Sequence, residues 1–196
     1  MAQCVRGIAL AHVGLWTFDF EMMVNFYVSL FGFVVSDRGQ QNARQYAFLT
    51  ASAHAHHQLV IVSGRVATQP AAPGGLNQIS FGLPTLSDLR GFHGRLSDYP
   101  VSSIVTLTHG NAWSVYFHDP EGNRLEVFVD TPWHMPQPFA REIDLSQSDA
   151  ELFACTEELC RENSGSRPIN EWRRWALAAL GGEDGQAAID DETIER

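Results

Sequence analysis

The sequence carries an internal repeat. Slid along itself by 66 residues, so that His12 falls on Gln78, its pattern realigns without a gap. His12-Val13-Gly14-Leu15 meets Gln78-Ile79-Ser80-Phe81, and Leu59-Val60-Ile61-Val62 meets Leu125-Glu126-Val127-Phe128. Tyr46-Ala47-Phe48-Leu49 falls on Ala112-Trp113-Ser114-Val115, and Leu30 on Leu96. Identity is low, but residue type and hydrophobic period match across the unit. Such a repeat restricts the chain to two copies of one supersecondary design.

Each copy reads as a strand, a helix and then further strands. Residues 7–17 are apolar with period two, which predicts a strand. Residues 20–31 place apolar side chains at helical spacing, and Gly32 suits a left-handed cap. Residues 45–51 and 57–63 are short strand-like runs joined by a polar turn that contains histidines. Residues 65–75, with Pro70, Pro73, Gly74 and Gly75, read as a linker. The second copy predicts a helix near 86–97 and strands near 102–107, 112–118 and 123–129. Asp119-Pro120 followed by Gly122-Asn123 makes the last connection a hairpin turn. The expected class is α+β. Two tandem βαβββ units, 6–64 and 76–131, curve around one cleft and together form a domain over 1–131.

Residues 131–138 are Pro-rich and leave the repeat. A helical extension is expected over 132–182. Ser148, with Asp149 and Glu151 in the first turn, caps a helix reaching about Asn163. Asn170 caps a second helix, Glu171 to Leu180, closed by Gly181-Gly182. Trp172, Trp175 and Ala176 share one helical face, and a helix with two tryptophans normally buries them. Residues 139–180 are therefore expected to be helical and to dock on the two-unit core. From Glu183 the chain is acidic with few large apolar residues, and disorder is expected. The sequence leaves open whether the helices form a lid, a contact between copies in a homo-oligomer, or neither.

With 196 residues the chain can bury roughly 70% of its unfolded surface, so it needs no disulfide or structural metal. Lys and Arg number 13 against 23 Asp and Glu, a formal net charge of −10. That balance argues against nucleic acid and anionic membranes as partners. No apolar run reaches the ~20 residues of a spanning helix. Cys4, Cys155 and Cys160 are odd in number and lack CxxC spacing, so no disulfide framework is expected. The first residues lack the apolar core of a signal peptide, and a cytoplasmic protein is expected.

The repeat singles out four equivalent positions, occupied by His12, Gln78, Val60 and Glu126. Three of them can ligate a metal. An imidazole, an amide oxygen and a carboxylate with open positions opposite form a variant of the facial triad of non-haem iron enzymes. A lone strand histidine can equally be structural. Two orientations fit Glu126. Strict alternation from Leu125, Val127 and Val129 sends it to solvent. Its repeat partner Val60, however, lies in a run apolar on both faces, which argues for an inward carboxylate that must be paired or metal-bound.

The run His109-Gly110-Asn111-Ala112-Trp113-Ser114-Val115-Tyr116-Phe117-His118-Asp119-Pro120-Glu121-Gly122-Asn123-Arg124-Leu125-Glu126 resembles the closing signature of the vicinal oxygen chelate superfamily, which includes glyoxalases and bleomycin resistance proteins. Ala11-His12-Val13 and Ala55-His56-His57-Gln58-Leu59-Val60 resemble one branch of it, the type I extradiol ring-cleaving dioxygenases and their small relatives. The resemblance covers roughly residues 6–131. It implies that His12 and Glu126 are metal ligands and that Tyr116 hydrogen-bonds substrate near the metal. It also implies that His57 acts as acid and base near bound oxygen, and that His109 contacts a substrate hydroxyl. Gln78 departs from the pattern, standing where the branch has its second histidine ligand.

Alternation from Val60 puts His56 and Gln58 on its face and His57 on the other. The role of His57 therefore requires a bulge or a strand start nearby, and His56 is the fallback. His109 lies in a His-Gly turn and Tyr116 on a strand, and each can also be explained by packing alone. The expected activity is cleavage of a catechol-like aromatic diol with O2. The expected metal is Fe(II), with Mn(II) or another divalent ion as the alternative. Trp16, Phe48, Trp113 and Phe128 are candidates for apolar pocket walls. Two rival readings share the fold. One is a relative with isomerase or transferase chemistry, and Val60 argues against a four-ligand glyoxalase site. The other is a metal-free binding or resistance protein, which Gln78 favours.

Overall fold

Residues 8–66 and 76–180 are described by the computed structural model, in two units that divide between Gly74 and Gly75. The first unit runs β1 (Val13–Thr17), α1 (Phe20–Phe31), β2 (Val34–Gln41), β3 (Arg44–Thr50) and β4 (Leu59–Ser63). The second begins β5 (Ile79–Gly82) and α2 (Leu86–Arg95), which ends in a single 3-10 turn. It continues through β6 (Ser102–Thr108), β7 (Ala112–His118) and β8 (Arg124–Asp130). Beyond the repeat come β9 (Trp133–His134), β10 (Arg141–Glu142), α3 (Asp149–Glu162), β11 (Arg167–Pro168) and α4 (Ile169–Ala179). The class is α+β, as expected.

The repeat is visible in the strand registers. In the first sheet, ordered β1-β4-β3-β2, Val13 is level with Leu59 in a parallel pair. In the second, ordered β10-β6-β7-β8-β5, Ile79 is level with Leu125 in a parallel pair. Both pairs obey the 66-residue shift. Each unit packs its helix on one face of its sheet. In the first, Met23, Val24 and Tyr27 of α1 are fully buried, as are Ala47, Leu49, Leu59 and Ile61 of the sheet. In the second, Leu89 and Phe92 of α2 join Phe117, Leu125 and Val127, with the Phe92 ring tilted against Phe117.

Local chemistry explains the boundaries. Asp19 accepts from the Met22 amide at the start of α1, and Gly32 ends the helix at φ 74°. Asp119, only 3% exposed, holds the β7–β8 turn. Its Oδ1 accepts from the backbone N–H of Glu121 and Asn123, its Oδ2 from the Asn123 amide, and Gly122 supplies φ 82°. That turn sets the register that places Tyr116 level with Glu126.

Several expectations change. The first strand is shorter than 7–17: described residues 8–12 are not strand, and His12 immediately precedes β1. The pattern had no signal for β2, whose last six residues are exposed. The second C-terminal helix starts at Ile169 rather than being capped by Asn170, which lies inside its first turn. Residues 139–148 are not helical, and Arg141–Glu142 instead extends the second sheet beside β6. Trp175 is 58% exposed and no residue of α4 is buried, so its two tryptophans are not a buried face. Trp172 stacks on His134 instead. Residues 67–75 of the expected linker over 65–75, the Gly181-Gly182 cap, Cys4 and the tail from Glu183 lie outside the described residues.

α3 docks as expected. A reciprocal capping box of Ser148 and Glu151 starts it, Leu152 and Cys160 are buried, and Phe153 meets Trp113 edge-to-face. The buried Trp113 indole N–H donates to the Thr156 hydroxyl at 2.9 Å. Arg90 of α2 ties the approach to α3 by donating to the carbonyls of Leu145 and Gln147 and pairing with Asp149. Among the described residues no helix is long and apolar enough to cross a membrane.

Candidate functional site

β8 alternates. Leu125, Val127 and Val129 face α2, so Glu126 points to the opposite face of the sheet. It is nonetheless only 7% exposed. Its cross-strand neighbours are Tyr116 on β7 and Ser80 on β5. The Ser80 hydroxyl donates to Glu126 Oε2 at 2.5 Å, and the Gln78 amide donates to the same oxygen at 2.9 Å. Both orientations read from the sequence were half right: the carboxylate leaves the helix-packed core, yet stays buried. Alternation alone could not show this, because neighbouring strands supply the cover.

His109 completes this cluster. Its Nε2 lies 2.9 Å from the Tyr116 hydroxyl and 3.9 Å from Glu126 Oε1. Its Nδ1 lies 2.7 Å from the Phe139 carbonyl, which can only accept, so Nδ1 carries the proton. In the neutral ring Nε2 then holds a lone pair and accepts from Tyr116. The residue just after the Pro-rich stretch thus has a part in the site that composition did not disclose: the Phe139 carbonyl fixes the His109 tautomer. Gly110, at φ 78°, leaves room for Met135, whose sulfur a Cβ there would approach to 2.7 Å.

A cavity of about 420 Å³ is lined by Ser80, His109, Tyr116, Glu126, Phe128 and Gln137, with Asn111, Ala112 and Asp130 at its margin. Phe128 supplies apolar wall, as expected. Trp113 does not: it lies on the other face of β7, beneath α3. A slightly larger cavity sits against α3, lined by residues of 141–162 that include Arg141, Glu142, Asp144, Glu158 and Glu162. Burial, then the hydrogen bond and charge of Glu126, push the Tyr116 phenol up to about 12, against the opposing Gln78 amide and Arg124 charge. Arg124 lies over the Tyr116 ring at 4.5 Å.

The first unit gathers the remaining candidates. The Val13 N–H donates to the Gln58 carbonyl, which brings residue 12 beside residue 57, and the His12 and His57 rings lie 4.5 Å apart. β4 starts at Leu59, so His57 sits in the turn before it and alternation does not govern its direction. Phe48 meets His57 edge-to-face at 5.1 Å. Burial, then the imidazoles of His12 and His56, lower the His57 pKa below the ordinary range, so the ring is neutral at pH 7. Trp16 is 46% exposed and stacks with Arg44.

Among the described residues no three His, Cys, Asp or Glu side chains converge to hold a metal ion. The second unit offers two oxygen donors, the Glu126 carboxylate and the Gln78 amide carbonyl, while His109 Nε2 is engaged by Tyr116. A buried carboxylate beside a neutral oxygen donor fits a divalent cation.

The sequence profile of the Glyoxalase/Bleomycin resistance protein/Dioxygenase superfamily matches residues 9–127. The chain belongs to this superfamily. Among curated members it is 30% identical over 122 residues to biphenyl-2,3-diol 1,2-dioxygenase 2 of Rhodococcus globerulus, covering 61% of this chain and 62% of that one. To biphenyl-2,3-diol 1,2-dioxygenase 3 of the same organism it is 31% identical over 124 residues, covering 62% and 63%. The match thus spans less than two thirds of these superfamily relatives. The solved glyoxylase/bleomycin resistance protein/dioxygenase domain from Frankia sp. EAN1pec shares the fold, with a TM-score of 0.53 at 19% identity, covering 65% of this chain and all of that one.

Proposed function

We propose that this member of the superfamily is a metal-dependent extradiol-type dioxygenase that cleaves a catechol-like aromatic diol with O2. The observation that carries the proposal is the buried Glu126 carboxylate ringed by Gln78, Ser80, Tyr116 and His109. The two dioxygenase relatives support the substrate class. His12, Gln78 and Glu126 are the proposed ligands of Fe(II), with Mn(II) the alternative. When bound, the ion supplies Lewis acidity toward the diol and a common site for both reactants.

The chain's own groups have separable tasks. Gln78 would hold the ion through its carbonyl oxygen, while its amide N–H donates to Glu126. Tyr116, with its phenol pKa near 12, stays protonated and donates a hydrogen bond to a substrate oxygen. His109 already has its Nδ1 proton committed to Phe139, so its Nε2 accepts from a diol hydroxyl. His57, neutral at pH 7, takes and returns a proton as general base and acid.

The test is anaerobic iron reconstitution and metal quantification, followed by oxygen uptake across a panel of catechols including biphenyl-2,3-diol. About one iron per chain and diol-dependent uptake are expected. Failure to retain any divalent metal overturns the reading. The Gln78-to-Glu126 hydrogen bond favours a second reading, a metal-free protein that sequesters an aromatic ligand, because it satisfies the carboxylate without an ion. Diol binding by calorimetry to protein that retains no metal identifies that case.

A further inference from the structure

Asp37 and His56, which the proposed reaction has not used, form a chain of hydrogen bonds with His57 in the first unit. Asp37 Oδ2 lies 2.9 Å from His56 Nε2, and His56 Nδ1 lies 2.8 Å from His57 Nδ1. We infer that Asp37 and His56 are positioning residues that fix the tautomer of His57, leaving its Nε2 as the proton-accepting nitrogen. The inference rests on the reading of His57 as an acid and base.

With both imidazoles neutral, as at the pH of the test below, the proton count follows from the geometry. A carboxylate only accepts, so His56 Nε2 carries the proton between them. A neutral imidazole has one N–H, so His56 Nδ1 has a lone pair and must receive. His57 Nδ1 therefore carries the proton of the second bond, and His57 Nε2 carries none. A solvated histidine prefers the opposite form, protonated at Nε2, so the arrangement is a departure that something must enforce.

The backbone supplies the enforcement. Val35 is level with Leu49, but the next partner, Phe48, is level with Asp37 because Ser36 forms a bulge. Without the bulge residue 36 would occupy that position, and Asp37 would point to the opposite face. Phe48 in turn lies against both imidazoles, with centroids 6.0 Å from His56 and 5.1 Å from His57. Asp37 and His56 are more than half exposed, at 66% and 58%, so the pair adds little stability. Its contribution is direction.

The experiment reads tautomers from long-range proton–nitrogen correlation spectra of the full-length, iron-free chain, at about pH 9 where imidazoles are neutral. His57 is expected to be protonated at Nδ1 and His56 at Nε2. Asp37→Ala is expected to move His57 to the Nε2–H form, and Asp37→Glu to retain the Nδ1–H form. A wild-type His57 protonated at Nε2, or one whose tautomer ignores Asp37→Ala, overturns the inference. Where a diol is turned over, Asp37→Ala should lower kcat at least about tenfold while KM stays within about twofold. A loss confined to KM also overturns the positioning role. If no diol is turned over, the dioxygenase reading fails while the tautomers still decide this inference.

Discussion

Glu126 has a donor or partner on every neighbouring strand, and the residue-scale predictions begin there. Glu126→Gln keeps the shape and removes the charge. It should weaken divalent metal binding by at least about 100-fold, roughly 2.7 kcal/mol, measured by calorimetry on protein with an unchanged circular dichroism spectrum. Gln78→His should tighten iron binding about tenfold, roughly 1.4 kcal/mol, since imidazole nitrogen is a better iron donor than an amide oxygen. Unchanged affinity would mean that residue 78 is no ligand. Tyr116 gives a pH signature. Its folded pKa is raised to about 12 from 10, so the folded state holds a proton that the unfolded state has lost. The stability it lends is complete below pH 10 and lost as pH rises toward 12. Phenolate absorbance should show one late-titrating tyrosine, which Glu126→Gln moves back toward 10. The positions of Gln78 and Glu126 were legible because the repeat marks equivalent residues, whereas Tyr116 was reached only through the family resemblance. The partner of His109, the Phe139 carbonyl, was not, since a backbone contact 30 residues away leaves no mark on side-chain pattern.

At the scale of elements, legibility followed amphipathicity. α1 matches its predicted span, Phe20–Phe31, because its apolar spacing and its glycine cap agree. β2 has no such contrast: Ser36 to Gln41 are all exposed, so nothing periodic distinguishes the strand from a loop. α4 shows the converse error. Its apolar stripe is real, but Trp175 remains exposed, and composition cannot say whether a stripe finds a partner. α3 is different because a specific bond anchors it. Thr156→Val retains the shape and leaves the buried Trp113 indole N–H without an acceptor. Chemical denaturation should show a loss of about 1–3 kcal/mol. A loss below about 0.5 kcal/mol would show that water reaches Trp113 and that α3 is loosely attached.

Over the molecule, the repeat accounts for the elements from β1 to β8 and the extension for those from β9 to α4. The extension belongs to the second unit rather than standing apart as a separate body. It covers the α2-bearing face through α3 and Trp113, and it reaches the Glu126 face through Phe139 and Gln137. Truncation after Asp130 should therefore expose Trp113 and free His109 together. The shortened chain is expected to melt more than about 5 °C lower or to be insoluble. It should also have lost the fixed His109 tautomer in the same nitrogen spectra. An unchanged Tm would separate the extension from the stability of the core. Of residues 139–180, expected to be helical and docked, 149–162 and 169–179 are helices and α3 docks, whereas 139–148 are not helical and Arg141–Glu142 joins the sheet edge beside β6.

The matching registers of the two parallel strand pairs have one more consequence. Val60 stands level with Gly14 as Glu126 stands level with Ser80. The backbone places the same socket in both halves, and only one is furnished with an acid and a hydroxyl to steady it. A Cβ on Gly14 would meet open space. Between the two halves the chemical difference at this spot is therefore two side chains deep, on a scaffold that need not move. A duplicated architecture of this kind can acquire or discard its reactive carboxylate by point substitution, with folding and chemistry changing independently of one another.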